Sequence, residues 1–268
     1  MLKDITLGQY FPGNSPLHRL DPRAKLILTM SYIVALFCAK GPIGYGVMLL
    51  FLVFCIWVSA ISPRAVFKGL KPLIFIIAFS SILNVFYTTG EHILWQWRFI
   101  TISLEGLTTA FYMVLRIVML VSGTFLLTYT TSPMMLTDGL ERLMNPLKRI
   151  RVPVHELTMV MTIALRFIPT LIDETDKIMS AQRARGADFE SGNLLRRAKA
   201  LIPLLVPLFV SAFRRASELA LAMECRCYNG GEGRTRLRRL RFNAFDITCL
   251  CVVLLLFTGV AVLRGFPL

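Results

Sequence analysis

The sequence predicts an all-α polytopic membrane protein with about five transmembrane helices and three amphipathic helices at the cytoplasmic face of the membrane. Of its 268 residues, 55% are hydrophobic, and apolar runs of about 14–20 residues recur along the chain. A helix needs about 20 mostly apolar residues to span a bilayer, and a chain of this composition buries much of its apolar surface in lipid. The placement of charge also favours this class.

Basic residues are concentrated between the apolar runs. The formal net charge is +14, and 19 of the 30 lysines and arginines fall in residues 132–242, against 11 acidic residues there. Most of the remaining basic residues flank apolar runs. This is the pattern of positively charged cytoplasmic loops, with anionic lipid as their counter-surface. We therefore expect a multi-pass protein of the cell (plasma) membrane with a cytoplasmic N-terminus, and no nucleic-acid partner.

The segment before the first apolar run, residues 8–25, which we call the lead-in, is rich in proline, glycine and asparagine, which favour turns. It contains no apolar run followed by a small-residue cleavage site, so no cleavable signal peptide is expected. His18 lies in this segment. A single histidine among turns is more often a local hydrogen-bonding group than a metal ligand, so we expect no metal site here.

Five apolar runs are predicted to cross the membrane as helices. Between the second and third runs, Arg64, Lys68 and Lys71 mark a short basic piece that is expected at the cytoplasmic surface. The predicted spans are 26–39, 43–61, 72–87, 106–131 and 245–263.

Two features near the fourth span need an explanation. Trp95 and Trp97 precede it and suit the outer headgroup level, where amphipathic aromatic rings are enriched. Arg116 lies inside it, and an arginine within a membrane is costly unless it faces protein or water. We expect Arg116 to pair within the helix bundle or to reach towards the interface, rather than to act directly in transport.

These runs divide the chain into three parts: residues 1–131 with the first four spans, residues 132–242, and residues 243–268 with the last span. The middle part opens with a short amphipathic helix after Pro133. It continues with two long helical patterns over 153–228, and the charge pattern places all of it in the cytoplasm or at its membrane surface.

The two long helical patterns have apolar middles, 157–172 and 200–213, which are shorter than a membrane span. Each continues for several turns as a helix of mixed charge. Long amphipathic helices along the cytoplasmic interface fit this pattern best. The alternative is a pair of short transmembrane helices kinked by Pro169, Pro203 and Pro207.

Each long helix ends in an arginine. The first ends in Ala184-Arg185-Gly186 and the second in Glu224-Cys225-Arg226-Cys227. An arginine at a helix C-terminus complements the helix dipole, and its planar fork can also bind carboxylates or carbonyls of a partner. Capping and docking are equally compatible with these residues taken alone. Because the second end lacks a terminal glycine, we expect it to be capped differently from the first.

The chain carries no recognisable catalytic or cofactor motif. It lacks a phosphate-binding loop, since the glycines near Gly230 are not followed by the lysine that such a loop requires. Cys225 and Cys227 are separated by one residue and have no second pair, which makes a zinc site improbable. Asp173 and Asp176 resemble a magnesium–diphosphate motif only weakly, because a second aspartate-rich motif is absent. We expect no metal, no cofactor and no catalytic residue.

The segment 8–25, Gly-Gln-Tyr-Phe-Pro-Gly-Asn-Ser-Pro-Leu-His-Arg-Leu-Asp-Pro-Arg-Ala-Lys, resembles the N-terminal signature of the transmembrane T component of energy-coupling factor transporters. The two helix ends are similar to the paired Ala-Arg-Gly motifs of that family. The resemblance covers nearly the whole chain. One departure is Cys225-Arg226-Cys227, which keeps the arginine but not the terminal glycine.

The resemblance implies a role in a vitamin or metal importer of the ABC type. In that family the T component joins two cytoplasmic ATPase subunits, which bind the ATP, to a substrate-binding membrane S component. It implies that the two long helices cross and that Arg185 and Arg226, with their neighbours, dock in grooves of the ATPases. Apolar faces on the two helices are then expected to pack on each other, on the S component and on lipid: Met159, Ile163 and Phe167 on the first, and Leu201, Leu205 and Phe209 on the second. The alternative is that these faces pack only within the chain.

Two other functions remain open. A polytopic membrane enzyme would be supported by acidic residues that converge on one cytoplasmic pocket, and no such cluster is visible in the sequence. A secondary transporter would be supported by inverted repeats with broken helices near the membrane midplane, and no internal repeat is found. The transported substrate, and whether the subunit serves one S component or several, are not encoded in a visible motif.

Overall fold

The computed structural model describes residues 10–88, 93–97, 100–187, 189, 193–230 and 242–263. Within these residues the chain forms ten α-helices and one antiparallel hairpin of two short strands, so the predicted all-α fold class is confirmed. The elements are α1 (Pro16–Arg19), α2 (Pro22–Cys38), α3 (Gly41–Ser59), α4 (Pro63–Leu70), α5 (Ile74–Tyr87), β1 (Ile93–Trp97), β2 (Ile100–Ser103), α6 (Leu104–Thr130), α7 (Pro133–Met144), α8 (Val154–Ala184), α9 (Leu194–Glu224) and α10 (Ala244–Leu263). Short 3₁₀ turns join α4 to α5 and follow α7.

The chain divides into two compact units. One contains described residues from 10 to 139 together with 242–263, and the other contains those from 140 to 230. The first unit holds the five predicted spans, which correspond to α2, α3, α5, α6 and α10. The second holds both long amphipathic helices. The sequence-based division at 131 and 243 stays a prediction.

The helix starts follow from local chemistry. α2 begins at Pro22, earlier than predicted, because Asp21 caps it by accepting a hydrogen bond from the Arg23 amide at 2.9 Å, and proline is favoured at the first helical position. α6 begins after Ser103, whose hydroxyl accepts from the Gly106 amide at 3.0 Å. The hairpin between α5 and α6 occupies the predicted interfacial segment. The placement of the Trp95 and Trp97 side chains lies outside what the structure describes.

Six helices in the described part of the chain are long and apolar enough to cross a membrane: α3, the run Pro63–Tyr87, α6, α8, the part Lys199–Glu224 of α9, and α10. α2, with 17 residues, is slightly shorter. These findings support a multi-pass membrane protein. Because length and composition do not place a helix relative to the bilayer, the interfacial position of 157–172 and 200–213 stays a prediction.

The core of the first unit lies among α2, α3, α6 and α10. Tyr32 is buried there, and its hydroxyl donates to the Met119 carbonyl oxygen at 3.1 Å. Gly123 permits this contact, since a Cβ at that position would lie 2.5 Å from the Tyr32 ring. Phe51 and Phe257 meet edge to face with ring centroids 5.2 Å apart, which joins α3 to α10.

A buried polar cluster ties together the start of α2, the end of α6 and the start of α10. The Lys25 ammonium donates to the Thr130 carbonyl and to the Thr131 hydroxyl, both at 3.0 Å. The Asp246 carboxylate accepts from the Asp21 amide at 3.0 Å. Lys25, Asp21 and Asp246 are each exposed by 6% or less, and buried charges of this kind need such partners. The sequence did not predict this cluster.

The lead-in and Arg116 behave as predicted. The two ring nitrogens of His18 lie 2.6 Å from the Ser15 hydroxyl and 3.0 Å from the Phe11 carbonyl oxygen, so this histidine is a local hydrogen-bonding group. Arg116 donates from Nε to the Tyr45 hydroxyl at 2.9 Å. Its guanidinium also lies over the Phe37 ring, 5.6 Å from the centroid. Pairing of Arg116 within the helix bundle is therefore confirmed.

Candidate functional site

The candidate site is built on α8 and α9, the two longest helices that the structure describes, with 31 residues each. At 1.5 Å per residue each is about 45 Å long. α8 contains Pro169, and α9 contains Pro203 and Pro207. Interior prolines remove backbone hydrogen bonds and tend to bend a helix, so each helix has a built-in weak point in its apolar middle.

Three contacts show that α8 and α9 run antiparallel. Residues with increasing numbers in α8 contact residues with decreasing numbers in α9. The end of each helix therefore lies towards the beginning of the other. The three contacts are Tyr228 Oη to Met159 Sδ at 3.0 Å, Arg215 Nη2 to Glu174 Oε2 at 2.9 Å, and Gln182 Nε2 to the Pro203 carbonyl oxygen at 3.4 Å.

The first arginine end is closed by the backbone alone. The Gly186 amide donates to the Arg183 carbonyl and the Ala187 amide to the Gln182 carbonyl, both at 3.0 Å. Gly186 has a φ of +85°, which is the left-handed conformation that glycine adopts at no steric cost. This is a Schellman cap, with Arg185 directly before the left-handed residue. Ala184, Arg185 and Gly186 are all exposed.

The second arginine end is closed in the same way, which corrects the expectation of a different cap. The Cys227 amide donates to the Glu224 carbonyl at 2.8 Å and the Tyr228 amide to the Met223 carbonyl at 3.1 Å. Cys227 takes the left-handed position with a φ of +55°. The expectation was wrong because a small side chain can occupy this conformation at a cost of about 1–2 kcal/mol, which the two hydrogen bonds offset.

The two arginines therefore hold equivalent positions. Arg226 precedes the left-handed residue as Arg185 does, and residues 224–227 are exposed. Since the caps use backbone amides, neither guanidinium is needed to close its helix. Across the described residues, no ion pair or hydrogen bond engages the side chain of Arg185 or Arg226. Each presents a planar fork of donors that can bind carboxylates or carbonyl oxygens of a partner.

The predicted apolar faces differ between the two helices. On α9, Leu201, Leu205 and Phe209 follow one another at four-residue spacing and are 45%, 46% and 61% exposed, while Leu204 beside them is buried. On α8, Met159, Ile163 and Phe167 are only half-exposed. Met159 accepts the hydrogen bond from Tyr228, so part of the α8 face is used within the chain. Of the two predicted faces, that of α9 is therefore the more open, although Leu157, Val160 and Met161 of α8 are exposed as well.

No group of three or more histidine, cysteine or acidic side chains that could hold a metal occurs among the residues that the structure covers. Cys225 and Cys227 are exposed free thiols.

Comparison with known proteins decides the family. A family model described as "Cobalt transport protein" matches residues 13–237, which include both arginine ends. Proteins named energy-coupling factor transporter transmembrane protein EcfT are similar along nearly their whole length. The protein of Clostridium kluyveri is 54% identical over 257 residues, 95% of each chain. That of Ruminiclostridium cellulolyticum is 52% identical over 264 residues, 98% of each chain, and that of Acidaminococcus fermentans is 51% identical over 268 residues, the whole of each chain.

The chain belongs to the family of energy-coupling factor transporter transmembrane proteins. The resemblance seen in the lead-in and the two helix ends is thereby confirmed, as is a membrane transport role for the family. The match to relatives extends over α8, α9 and the spans alike.

Tyr228 is a residue of the candidate site that the sequence analysis did not predict. It follows the left-handed residue of the second cap and reaches α8, so it fixes the Arg226 end against the start of the other helix. An apolar or aromatic residue at this place often accompanies a Schellman cap. That signal was present in the sequence, but it could be used only once Cys227 was known to close the helix.

Proposed function

We propose that this family member is the transmembrane coupling subunit of an energy-coupling factor importer of the ABC type. It would join two cytoplasmic ABC ATPase subunits to a substrate-binding membrane S component for uptake of vitamins or other micronutrients. The observation that carries the proposal is the pair of exposed arginines in equivalent caps at opposite ends of an antiparallel helix pair. Tyr228 fixes the Arg226 end beside Met159, so the two arginines lie roughly 35–40 Å apart along the helices at 1.5 Å per residue.

Two docking points so far apart cannot enter one groove and are suited to two separate subunits. In this mechanism Arg185, with Ala184 and Gly186, enters a groove of one ATPase. Arg226, with Glu224, Cys225 and Cys227, enters the groove of the other. The contacts between α8 and α9 hold the spacing of the two arginines, so closure of the ATPases on ATP would move the helix pair as a unit. ATP would be bound by the partner subunits, and this chain would contribute no cofactor and no catalytic group.

The S component would dock on the apolar surface of the same helices. The open face of α9, with Leu201, Leu205 and Phe209, is the main candidate surface, because large apolar side chains exposed together on one helix face favour a partner or lipid. Met159, Ile163 and Phe167 on α8 would add to it where they stay exposed. Movement of the helix pair would then reach the substrate-binding subunit directly.

The orientation that fits this role has a cytoplasmic N-terminus in the cell membrane. α8 and α9 would then lie along the cytoplasmic interface. This placement agrees with the excess of basic residues in 132–242 and with the mixed charge of the second half of each helix.

Co-purification tests the proposal. The full chain, expressed with two ABC ATPase subunits, should purify as a complex that hydrolyses ATP, whereas the isolated chain should neither bind nor hydrolyse ATP. The isolated chain is the control for contaminating ATPases. Robust ATP hydrolysis by the isolated chain would contradict the proposed function. So would the finding that none of the ATPase pairs taken from its relatives' transporters binds the chain.

A further inference from the structure

The short segment between α7 and α8, residues 145–151, has an unusual surface. Asn145–Ile150 forms a 3₁₀ helix, and Arg151 ends it in the left-handed conformation with a φ of +61°. The Arg151 amide donates to the Lys148 carbonyl at 3.1 Å, which closes the turn. Every residue from 145 to 151 is exposed. We refer to residues 145–151 as the basic turn.

The basic turn is amphipathic. In a 3₁₀ helix side chains three positions apart lie on the same edge, so Leu147 and Ile150 share one edge. They are 38% and 77% exposed. Lys148 and Arg149 occupy the other edges, and Arg151 follows directly. Three cations therefore accompany a pair of exposed apolar side chains, of which Ile150 is the more open.

In the part of the chain that the structure describes, no ion pair engages Lys148, Arg149 or Arg151. No acidic residue occurs between Glu141 and Glu156 in the sequence. Glu141 itself contacts His155, with its carboxylate oxygen 3.1 Å from Nδ1. The charge of the basic turn is thus available to a negatively charged surface outside the chain.

We propose that the basic turn binds anionic phospholipid at the membrane surface. Leu147 and Ile150 would enter the boundary between headgroups and acyl chains, and Lys148, Arg149 and Arg151 would contact lipid phosphates. Interfacial segments combine apolar and cationic side chains in this way, and each cation near an anionic membrane strengthens binding about fivefold. An acidic protein surface would satisfy the cations but would not account for the exposed Ile150 among them.

The position in the chain supports a membrane partner. α7 begins at Pro133, three residues after the transmembrane helix α6 ends at Thr130, and Met134 and Met135 at its start are each 47% exposed. The basic turn ends three residues before α8 begins at Val154. Bound lipid would therefore fix the start of α8 at the bilayer surface. The inference uses the proposed orientation only to choose the cytoplasmic leaflet.

Quenching by brominated lipid tests the proposal on the full chain. Trp57, Trp95 and Trp97 are replaced by phenylalanine, and Ile150→Trp supplies a single reporter. The protein is reconstituted in vesicles of fixed phosphatidylglycerol and phosphatidylcholine content. The bromine is carried either by the phosphatidylglycerol or by an equal amount of phosphatidylcholine. We expect stronger quenching by brominated phosphatidylglycerol, and a decrease of this preference at high salt.

A charge-matched pair of variants completes the experiment. Lys148→Gln/Arg149→Gln/Arg151→Gln should reduce quenching by phosphatidylglycerol to the phosphatidylcholine level. Lys177→Gln/Lys199→Gln/Arg214→Gln removes three exposed cations from α8 and α9 and should keep the preference. Backbone hydrogen exchange of residues 145–151 in the native sequence should be slower in vesicles with phosphatidylglycerol than without it.

Three results would overturn the proposal. They are equal quenching by the two lipids, persistence of the preference after the cations of the basic turn are removed, and absence of quenching by either lipid. Absence of quenching by either lipid would show that the basic turn faces water or an acidic protein partner instead of lipid. None of them bears on co-purification with ATPases, so failure here is distinguishable from failure of the proposed function.

Discussion

At the residue scale, a capping role and a docking role of Arg185 and Arg226 predict different energies. Both caps are closed by backbone hydrogen bonds that do not involve Arg185 or Arg226 side chains. What remains for capping is the interaction of an exposed charge with the helix dipole, about 0.3–1 kcal/mol and screened by salt. A central docking arginine is typically worth about 2 kcal/mol or more. The magnitudes therefore discriminate between the two roles.

Replacing either arginine should weaken ATPase binding while the fold is kept. For Arg185→Ala and for Arg226→Ala we expect a loss of about 2 kcal/mol, roughly 30-fold in affinity, and a larger loss in the double variant. Arg→Lys should rescue only in part, because lysine keeps the charge but loses the planar fork. The measurement is the affinity of ATPase subunits for the reconstituted chain, with thermal unfolding as a check of folding.

Two matched variants control this experiment. Arg214→Ala removes an exposed arginine of α9 away from its end and should leave ATPase binding unchanged. Cys227→Gly places glycine at the left-handed position and should raise stability by about 1 kcal/mol, which checks that the backbone alone closes this cap. Wild-type assembly and transport by the double alanine variant would reduce Arg185 and Arg226 to helix caps.

Residues that act locally could be predicted from the sequence, and residues that act at long range could not. His18 and the two arginine ends are recognisable because their partners lie within a few positions. The contact between Asp246 and the Asp21 amide joins residues 225 positions apart, and the hydrophobic periodicity of the sequence does not predict it. The cap at Cys227 was predicted wrongly because the preference for glycine is a tendency that two hydrogen bonds can outweigh.

At the scale of elements, hydrophobic runs located the helices well and their ends less well. The fourth predicted span, 106–131, became α6, Leu104–Thr130, since the Ser103 cap sets its start. The hairpin of β1 and β2 was not predicted, because strands this short, in a hairpin of only two, give a weak sequence signal. The division of roles between the α8 and α9 faces was not predictable. It depends on the contact that brings Tyr228 to Met159.

The open face of α9 gives a prediction about the S component. Leu205→Glu should weaken recruitment of the S component at least tenfold, because burial of an unpaired carboxylate in an apolar interface costs several kcal/mol. ATPase binding, which uses the helix ends, should change little. The measurement is co-purification of both kinds of partner with the variant, and Leu205→Met, which keeps volume and apolarity, is the control. Equal loss of both partners from a folded chain would contradict a separate docking face.

At the scale of the whole molecule, the proposed function depends on the path of α8 and α9 relative to the bilayer. With the proposed cytoplasmic N-terminus, five spans would place the C-terminus outside, and two further spans would not change that parity. Reporters at the termini therefore cannot distinguish an interfacial helix pair from a transmembrane one. The end of α8 can, since it would lie outside the cell if α8 crossed the membrane, and inside if α8 lies along the cytoplasmic surface.

Thiol labelling of single-cysteine variants in intact cells measures this directly. Cys227 and a cysteine placed by Ser180→Cys, both at exposed positions, should react with a membrane-impermeant reagent only after the cytoplasmic side is opened. Cys38, the last residue of α2, should be the residue labelled from outside, and so serves as the control for reagent access. Labelling at position 180 from outside would show that α8 spans the bilayer. In that case Arg185 and Arg226 would lie on opposite sides of the membrane, and docking of both in cytoplasmic ATPases would be impossible.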